Sequence, residues 1–119
     1  RGKAKDHGKG NQIEGKVKRK QKVAVIEDII STGGSSTETV RAIRKEGAKS
    51  SYIFSIITYG MNKSKENFKA SGIKLFSLTD FPTVVKVAEQ IGYIKTKDKD
   101  IILQWAQDPA SWGKKMGFE

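Results

Sequence analysis

The chain has 119 residues, a formal net charge of +10, 36% hydrophobic residues and 30% charged residues. That is the size of one domain with a modest core, and no run nears the roughly 18 consecutive apolar residues of a transmembrane helix. The absence of cysteine excludes a disulfide scaffold, a zinc ribbon and a cysteine nucleophile, and the single histidine excludes most histidine-built metal sites.

Arg1 to Gly10 is rich in glycine and lysine and reads as a mobile loop. The charge is concentrated at this end: Arg1 to Lys22 holds nine basic and two acidic residues, so this stretch carries +7 of the +10. Such a field attracts nucleic acid, anionic lipid or a small ligand with several phosphates, and composition leaves the three open. The chain opens on Arg1 rather than Met, with no apolar segment of signal-peptide type behind the charges. The expectation is a chain processed upstream or a fragment of a longer protein. The alternation Ile13, Gly15, Val17 predicts a short exposed strand within Asn11 to Val17, and Lys18 to Lys22 predicts a charged bend.

Val23-Ala24-Val25-Ile26 is a continuous, mostly β-branched run of the kind that forms a strand buried on both faces. Past Glu27-Asp28-Ile29-Ile30 comes Ser31-Thr32-Gly33-Gly34-Ser35-Ser36. Ser35 with Glu38 fits a capping box, which predicts a helix with Val40 and Ile43 inward and Gly47 as its stop. A second strand is expected over Ser51 to Thr58, a short helix from Asn62 to Ala70 ending at Gly72, and a third strand from Ile73 to Leu78. Asp80 and Pro82 mark the next helix, whose buried stripe is expected to be Val84, Val87, Ala88 and Ile91, with Gly92 closing it. A last helix near Lys97 to Gln107 carries Ile101, Ile102 and Trp105 and stops at Asp108-Pro109. This order predicts an α/β domain, Rossmann-like, with a parallel sheet and crossover helices. The expected division is a basic loop and β-arm over 1–22 and an α/β core over 23–119.

Parallel sheets place ligand sites at the carboxyl ends of their strands, at a topological switch point. Glu27 to Ser36 occupies such an end. Gly33 and Gly34 permit backbone conformations closed to other residues. Thr32, Ser35 and Ser36 supply hydroxyls, and the helix behind them presents free N–H groups and a positive dipole end. These are the parts of a monophosphate cradle, and an anion is expected against Thr32 to Ser36. Glu27 and Asp28 suit ribose hydroxyls or a divalent cation and repel phosphate. A cup for one phosphate beside a diol-reading acidic pair describes a ribose 5-phosphate. A tight turn whose carboxylates merely face water is the plainer alternative. No lysine follows Gly34 as a Walker A loop requires, and no G-x-G-x-x-G opens the helix.

Val25 to Ser35 closely resembles the phosphoribosyl diphosphate motif of the type I phosphoribosyltransferases: an apolar strand, two acidic residues and a T-G-G-S loop. Arg1-Gly2-Lys3-Ala4-Lys5-Asp6-His7-Gly8, followed by Asn11-Gln12-Ile13-Glu14-Gly15, resembles the catalytic loop and arm of the orotate phosphoribosyltransferases. Phe54 to Gly60 resembles a segment of their Gram-positive branch. The resemblance runs from the first residue to the carboxyl terminus and implies that about two-fifths of such an enzyme precedes this chain. It implies that Arg1, Lys5 and His7 contact the diphosphate, in many members within the partner subunit's site. It further implies that Glu27 and Asp28 read the ribose, that Ile29 and Ile30 line the site, and that Ser31, Thr32, Gly33, Gly34 and Ser35 wrap the 5-phosphate, with Ser31 also near orotate. Lys5, His7 and Asp28 would be the catalytic set. Mg²⁺ is expected on the diphosphate without a direct protein ligand. Some branches carry a second loop lysine where this chain has Gly2, and an orotate-contacting arginine where it reads Thr58-Tyr59-Gly60.

The implied activity is transfer of a phosphoribosyl group from phosphoribosyl diphosphate to orotate in UMP synthesis, in a cytoplasmic homodimer that binds neither nucleic acid nor membrane. A purine phosphoribosyltransferase would share Glu27 to Ser35 but lack the Lys5-Asp6-His7-Gly8 loop. A non-catalytic nucleotide- or nucleic-acid-binding regulator would use the +7 arm, which has no aromatic residue for stacking bases. The other cations of the stretch (Lys9, Lys16, Lys18, Arg19, Lys20 and Lys22) are expected to be solvated charge, and Trp105 and Trp112 to be packing residues. By itself the chain is expected to be inactive and to leave part of its sheet uncovered, with an apolar patch that favours self-association.

Overall fold

The structure is a computed structural model that describes residues 13–118. Arg1, Lys5 and His7, and the expected mobility of Arg1 to Gly10, lie outside the described residues. Strand β1 (Lys22–Ile30) leads through helix α1 (Gly34–Lys45) to β2 (Lys49–Thr58), and α2 (Asn62–Ala70) leads to β3 (Lys74–Asp80). Helices α3 (Phe81–Gln90), α4 (Lys99–Gln107) and α5 (Pro109–Lys115) follow. The strands pair in parallel in the order β1-β2-β3. This is the α/β architecture the alternation predicts. No helix among the described residues is long and apolar enough to cross a membrane.

The core lies on one side of the sheet. Val25 and Ile30 from β1 and Ile53 from β2 pack against Val40 and Ile43 of α1 and Phe68 of α2. Val40 and Ile43 thus point inward as their helical spacing requires, and Gly47 follows the helix with φ of 84°. The expectation of a strand buried on both faces is not met. The opposite face carries Ala24, Tyr52 and Lys74 in one register row and Ile26, Phe54 and Phe76 in the next. Ile56 and Leu78 stand further along it, with Leu78 86% exposed. The Phe54 and Phe76 rings stack at 5.5 Å over this face, beside an apolar hollow of about 270 Å³. β-Branched composition thus marked a strand correctly, but helices cover only one of its sides.

Three further expectations are corrected and a fourth is extended. Ile13 to Val17 forms no strand; Ile13 and Val17 are instead half-buried against the core, so their alternation reflects packing rather than pairing. The capping box at Ser35 and Glu38 does not form, because the N-cap of α1 is Gly33, two residues before Ser35, with no side-chain cap. On α3 the buried residue is Val85, whereas Val84, Val87 and Ile91 are exposed. Asp108-Pro109 ends α4 as expected and also opens α5, where Pro109 takes the first helical position. Trp105 does pack: its ring meets those of Phe81 and Tyr59 at 6.2 and 6.0 Å, tying α4 to the carboxyl end of the sheet.

Asp80 caps α3 by accepting a bond of 2.9 Å from the Thr83 amide, which holds its carboxyl below the usual carboxylate value. A depressed folded-state value means the cap stabilises the helix above the ordinary carboxylate pKa and is lost as pH falls through the lowered one. Asp80→Ala is therefore expected to lower the melting temperature at pH 7, and the gap from the parent chain should shrink as the pH of the melts falls below the ordinary carboxylate value of 3.8. A constant gap across that range would assign the effect to something other than the charged cap.

Candidate functional site

The carboxyl end of β1 runs directly into the turn Ser31–Gly33 and then α1. Glu27, Ile29, Ile30 and Ser31 to Ser36 line a cleft of about 150 Å³ there. β1 is an edge strand, so the described residues hold no reversal of strand order; the cleft sits at the end of a strand but not at a switch point between strands.

Three contacts fix the loop. Gly33 has φ of 72°, a left-handed conformation that glycine adopts without penalty. A Cβ built on it would come 2.7 Å from Cζ and 2.8 Å from Cε1 of the buried Phe68 ring, so backbone and ring are in contact. The carbonyl of Gly33 accepts from both the amide and the hydroxyl of Thr37, at 3.0 and 2.7 Å. The Asn67 side-chain amide donates to the Thr32 carbonyl at 2.9 Å, tying the loop to α2. The amides of Gly34, Ser35 and Ser36 form the first turn of α1, whose N–H groups have no acceptor within the helix. With the exposed hydroxyls of Ser31, Thr32 and Ser35, they make a concave donor surface for one phosphate.

The two carboxylates take different settings. Glu27 is half-buried, and its Oε1 accepts from the hydroxyl of the buried Ser36 at 2.9 Å. Ser36 was expected to offer its hydroxyl to the anion; it orients Glu27 instead, and Oε2 is the oxygen this bond leaves over. Asp28 is exposed, with Oδ1 accepting from the Ile29 amide at 2.7 Å. Alternation along a strand sends neighbours to opposite faces, so Glu27 sits on the helix-covered side with Ser36 while Asp28 stands out toward solvent. Among the described residues no group of three or more His, Cys, Asp or Glu is placed to hold a metal ion. Because these two carboxylates face different sides, they form no chelating pair, and a divalent cation here would have to be held mainly by its ligand and its own waters.

The structure thus brings Glu27, Ile29, Ile30, Ser31, Thr32, Gly33, Gly34 and Ser35 to one cleft, whereas the exposed Asp28 adjoins them in sequence without lining it. Arg1, Lys5 and His7 are outside the described residues. Asn67 and Phe68, which position the others, carried no individual signal in the sequence, and Ser36 was singled out there for a different role.

No family model matches the chain. Its sequence is similar to curated proteins named orotate phosphoribosyltransferase. The one from Listeria monocytogenes serotype 4b (strain F2365) is 46% identical over 114 residues, covering 96% of this chain and 54% of the relative. One from Enterococcus faecalis (strain ATCC 47077 / OG1RF) has the same identity and coverage, and one from Bacillus caldolyticus is 42% identical over 113 residues, covering 95% and 55%. Among solved structures, orotate phosphoribosyltransferase from Aeropyrum pernix superposes with a TM-score of 0.53 at 23% identity, covering 61% of this chain and 42% of that one. UMP synthase from Leishmania donovani gives 0.64 at 19% identity, covering 76% and 21%. At such identities the two structures speak for the fold alone. The chain spans about half the length of the curated relatives it matches.

Proposed function

We propose that this relative of the orotate phosphoribosyltransferases holds phosphoribosyl diphosphate at the carboxyl end of β1 and serves transfer of its phosphoribosyl group to orotate. The observation that carries the proposal is a donor-lined loop, locked by Gly33 against Phe68, directly beside a Glu27 already oriented by Ser36. The amides opening α1 and the hydroxyls of Thr32 and Ser35 take the 5-phosphate. Glu27 and Asp28 accept from the two ribose hydroxyls, and Ser31 faces the orotate side.

Transfer breaks the bond from C1 to the diphosphate oxygen and forms one from C1 to a ring nitrogen of orotate. Positive charge grows on the sugar and negative charge on the departing group. Arg1 and Lys5 are assigned to that departing charge, and His7 to a hydrogen bond or proton for its oxygen. Mg²⁺ carried by the diphosphate, without a direct protein ligand, would supply further neutralisation of that charge. The products are orotidine 5′-phosphate and diphosphate, which places the reaction in pyrimidine nucleotide synthesis. A cytoplasmic homodimer, with loop residues reaching the partner's site, completes the proposal, with no nucleic-acid or membrane partner.

The test follows orotate absorbance in a full-length protein carrying this sequence, supplied with phosphoribosyl diphosphate and Mg²⁺, with guanine and hypoxanthine as competing bases. Consumption of orotate is expected; turnover of a purine base alone would overturn the assignment. In the same protein, Asp28→Asn is expected to weaken phosphoribosyl diphosphate at least tenfold, because a charge-assisted hydrogen bond contributes roughly 1.5–3 kcal/mol. Unchanged binding and turnover would remove Asp28 from the site.

A further inference from the structure

We propose that the amino-terminal end of the sheet, at the opposite end of the strands from the Glu27–Ser36 cleft, is a second ligand site that takes a nucleoside di- or triphosphate. Each strand begins with a lysine: Lys22 in β1, Lys49 in β2 and Lys74 in β3. Lys22 and Lys49 are direct register partners, and Lys74 pairs with Tyr52. The preceding turn adds Lys18, Arg19 and Lys20. Its Lys20 amide donates to the Gly47 carbonyl at 2.8 Å, and the Lys49 amide donates to the Gln21 carbonyl at 2.7 Å, so the turn is pinned to the segment that joins α1 to β2. Lys45, at the end of α1, lies in that neighbourhood, and the Arg19 side chain packs over Gly47.

Separate segments of the chain thus bring their cations to one end of the fold. The carboxylate of the intervening α1–β2 segment is the exposed Glu46. Among the described residues none of these lysines, nor Arg19, is ion-paired; the ion pairs there are Lys99 with Glu89 and Lys115 with Asp108. Like charges held this close repel one another, and a bound polyanion relieves that repulsion. Lys20 also holds φ of 63°, a left-handed conformation uncommon for a residue with a side chain. Such backbone is kept where the surroundings impose it, and it gathers at functional sites.

The geometry goes beyond a charged surface. Between Lys22 and Ala24 the β1–β2 register shifts, so β2 spends one extra residue on the interval. Bulges of this kind turn side chains out of the regular ladder. Here the result is a groove of about 420 Å³ lined by Lys22, Val23, Ala24, Lys49, Ser51 and Tyr52. That is within the roughly 300–1,000 Å³ of small-molecule sites. Its wall is the half-exposed Tyr52 ring, backed by the Phe76 ring at 6.3 Å. A flat apolar wall beside converging ammonium groups suits a ligand with a planar base at one end and several phosphates at the other. Single-stranded nucleic acid would call for successive stacking rings along its track, whereas the groove offers one.

The test is calorimetric titration of the chain with ATP in the presence of saturating ribose 5-phosphate, which the proposed function assigns to the Glu27–Ser36 cleft. ATP binding is expected to survive ribose 5-phosphate and to weaken at least tenfold in the double variant Lys22→Glu, Lys49→Glu. The same charge change on α2, Lys63→Glu with Lys65→Glu, should alter it less than threefold. Tyr52→Ser should reduce ATP to the affinity of inorganic tripolyphosphate and leave tripolyphosphate itself unchanged. Loss of all ATP binding with ribose 5-phosphate, or equal losses in the two charge variants, would overturn the site. Equal affinity of the parent chain for ATP and tripolyphosphate would overturn the role of the ring. A single-stranded oligothymidylate binding the same lysines more than tenfold tighter than ATP would replace the mononucleotide with nucleic acid.

Discussion

Gly33→Ala is expected to lower the stability of the chain by about 2–4 kcal/mol, the sum of a left-handed backbone penalty and a forced displacement in the core. A melting temperature lowered by on the order of 10 °C follows for a domain of this size. At φ of 72° an L side chain is strained, and its Cβ would stand 2.7 Å from Cζ of Phe68. Phe68 is 4% exposed and belongs to the core, so moving the ring disturbs the packing of Val25, Val40 and Ile53 around it. Either the ring shifts and the core loosens, or the loop lifts and the phosphate cup opens. Both routes predict that ribose 5-phosphate binding falls together with stability. Gly34→Ala is the control: its added methyl would lie 3.7 Å from the Thr32 hydroxyl, an ordinary contact, and Gly34 already has helical surroundings. Thermal melts and ribose 5-phosphate titrations of the two variants decide the matter. A Gly33→Ala protein as stable as Gly34→Ala would show that the Phe68 contact does not constrain the loop.

That pair of glycines illustrates how far the sequence can be read. Two adjacent glycines after a β-branched strand announce a tight, anion-permissive turn, and the turn is there. Which of them is irreplaceable depends on a phenylalanine 35 positions later, and no local pattern encodes that distance. The same holds for Glu27. Its place at the end of a strand is legible, but its orientation comes from Ser36 across the turn. Helices α1 and α2 were legible because glycine stops and apolar spacing agree with what packs against them. The stripe on α3 misled because spacing identifies an apolar face without saying whether anything covers it, and Val84, Val87 and Ile91 are exposed. The β-branched run of β1 misled in the same way about the second face of the sheet.

That second face is expected to make the chain self-associate. Ile26, Tyr52, Phe54, Ile56, Phe76 and Leu78 are each between 43% and 86% exposed on it or at its rim. Large aromatic side chains bury about 150–250 Å² each, so six half-exposed apolar side chains leave on the order of 700 Å² of contact surface. That exceeds the few hundred Å² of apolar patch usual on a monomer and matches the roughly 800 Å² per partner of a standard interface. Lys74 bounds the row that contains Tyr52, so a second copy would seat over the Ile26–Phe54–Phe76 row and toward Leu78, leaving the basic end outside the contact. Sedimentation equilibrium of the chain should show dimers or larger species at micromolar concentration. Leu78→Lys with Ile26→Lys should return it to monomer with little change in melting temperature, because in a monomer these two side chains are 86% and 74% exposed. In a protein of the relatives' full length, the same two substitutions separate the possible covers. There they should destabilise the fold if the remaining polypeptide lies over this face, and shift only the oligomeric state if a second copy does. A monomeric parent chain with this face still exposed would show that the stacked Phe54 and Phe76 rings are tolerated in water.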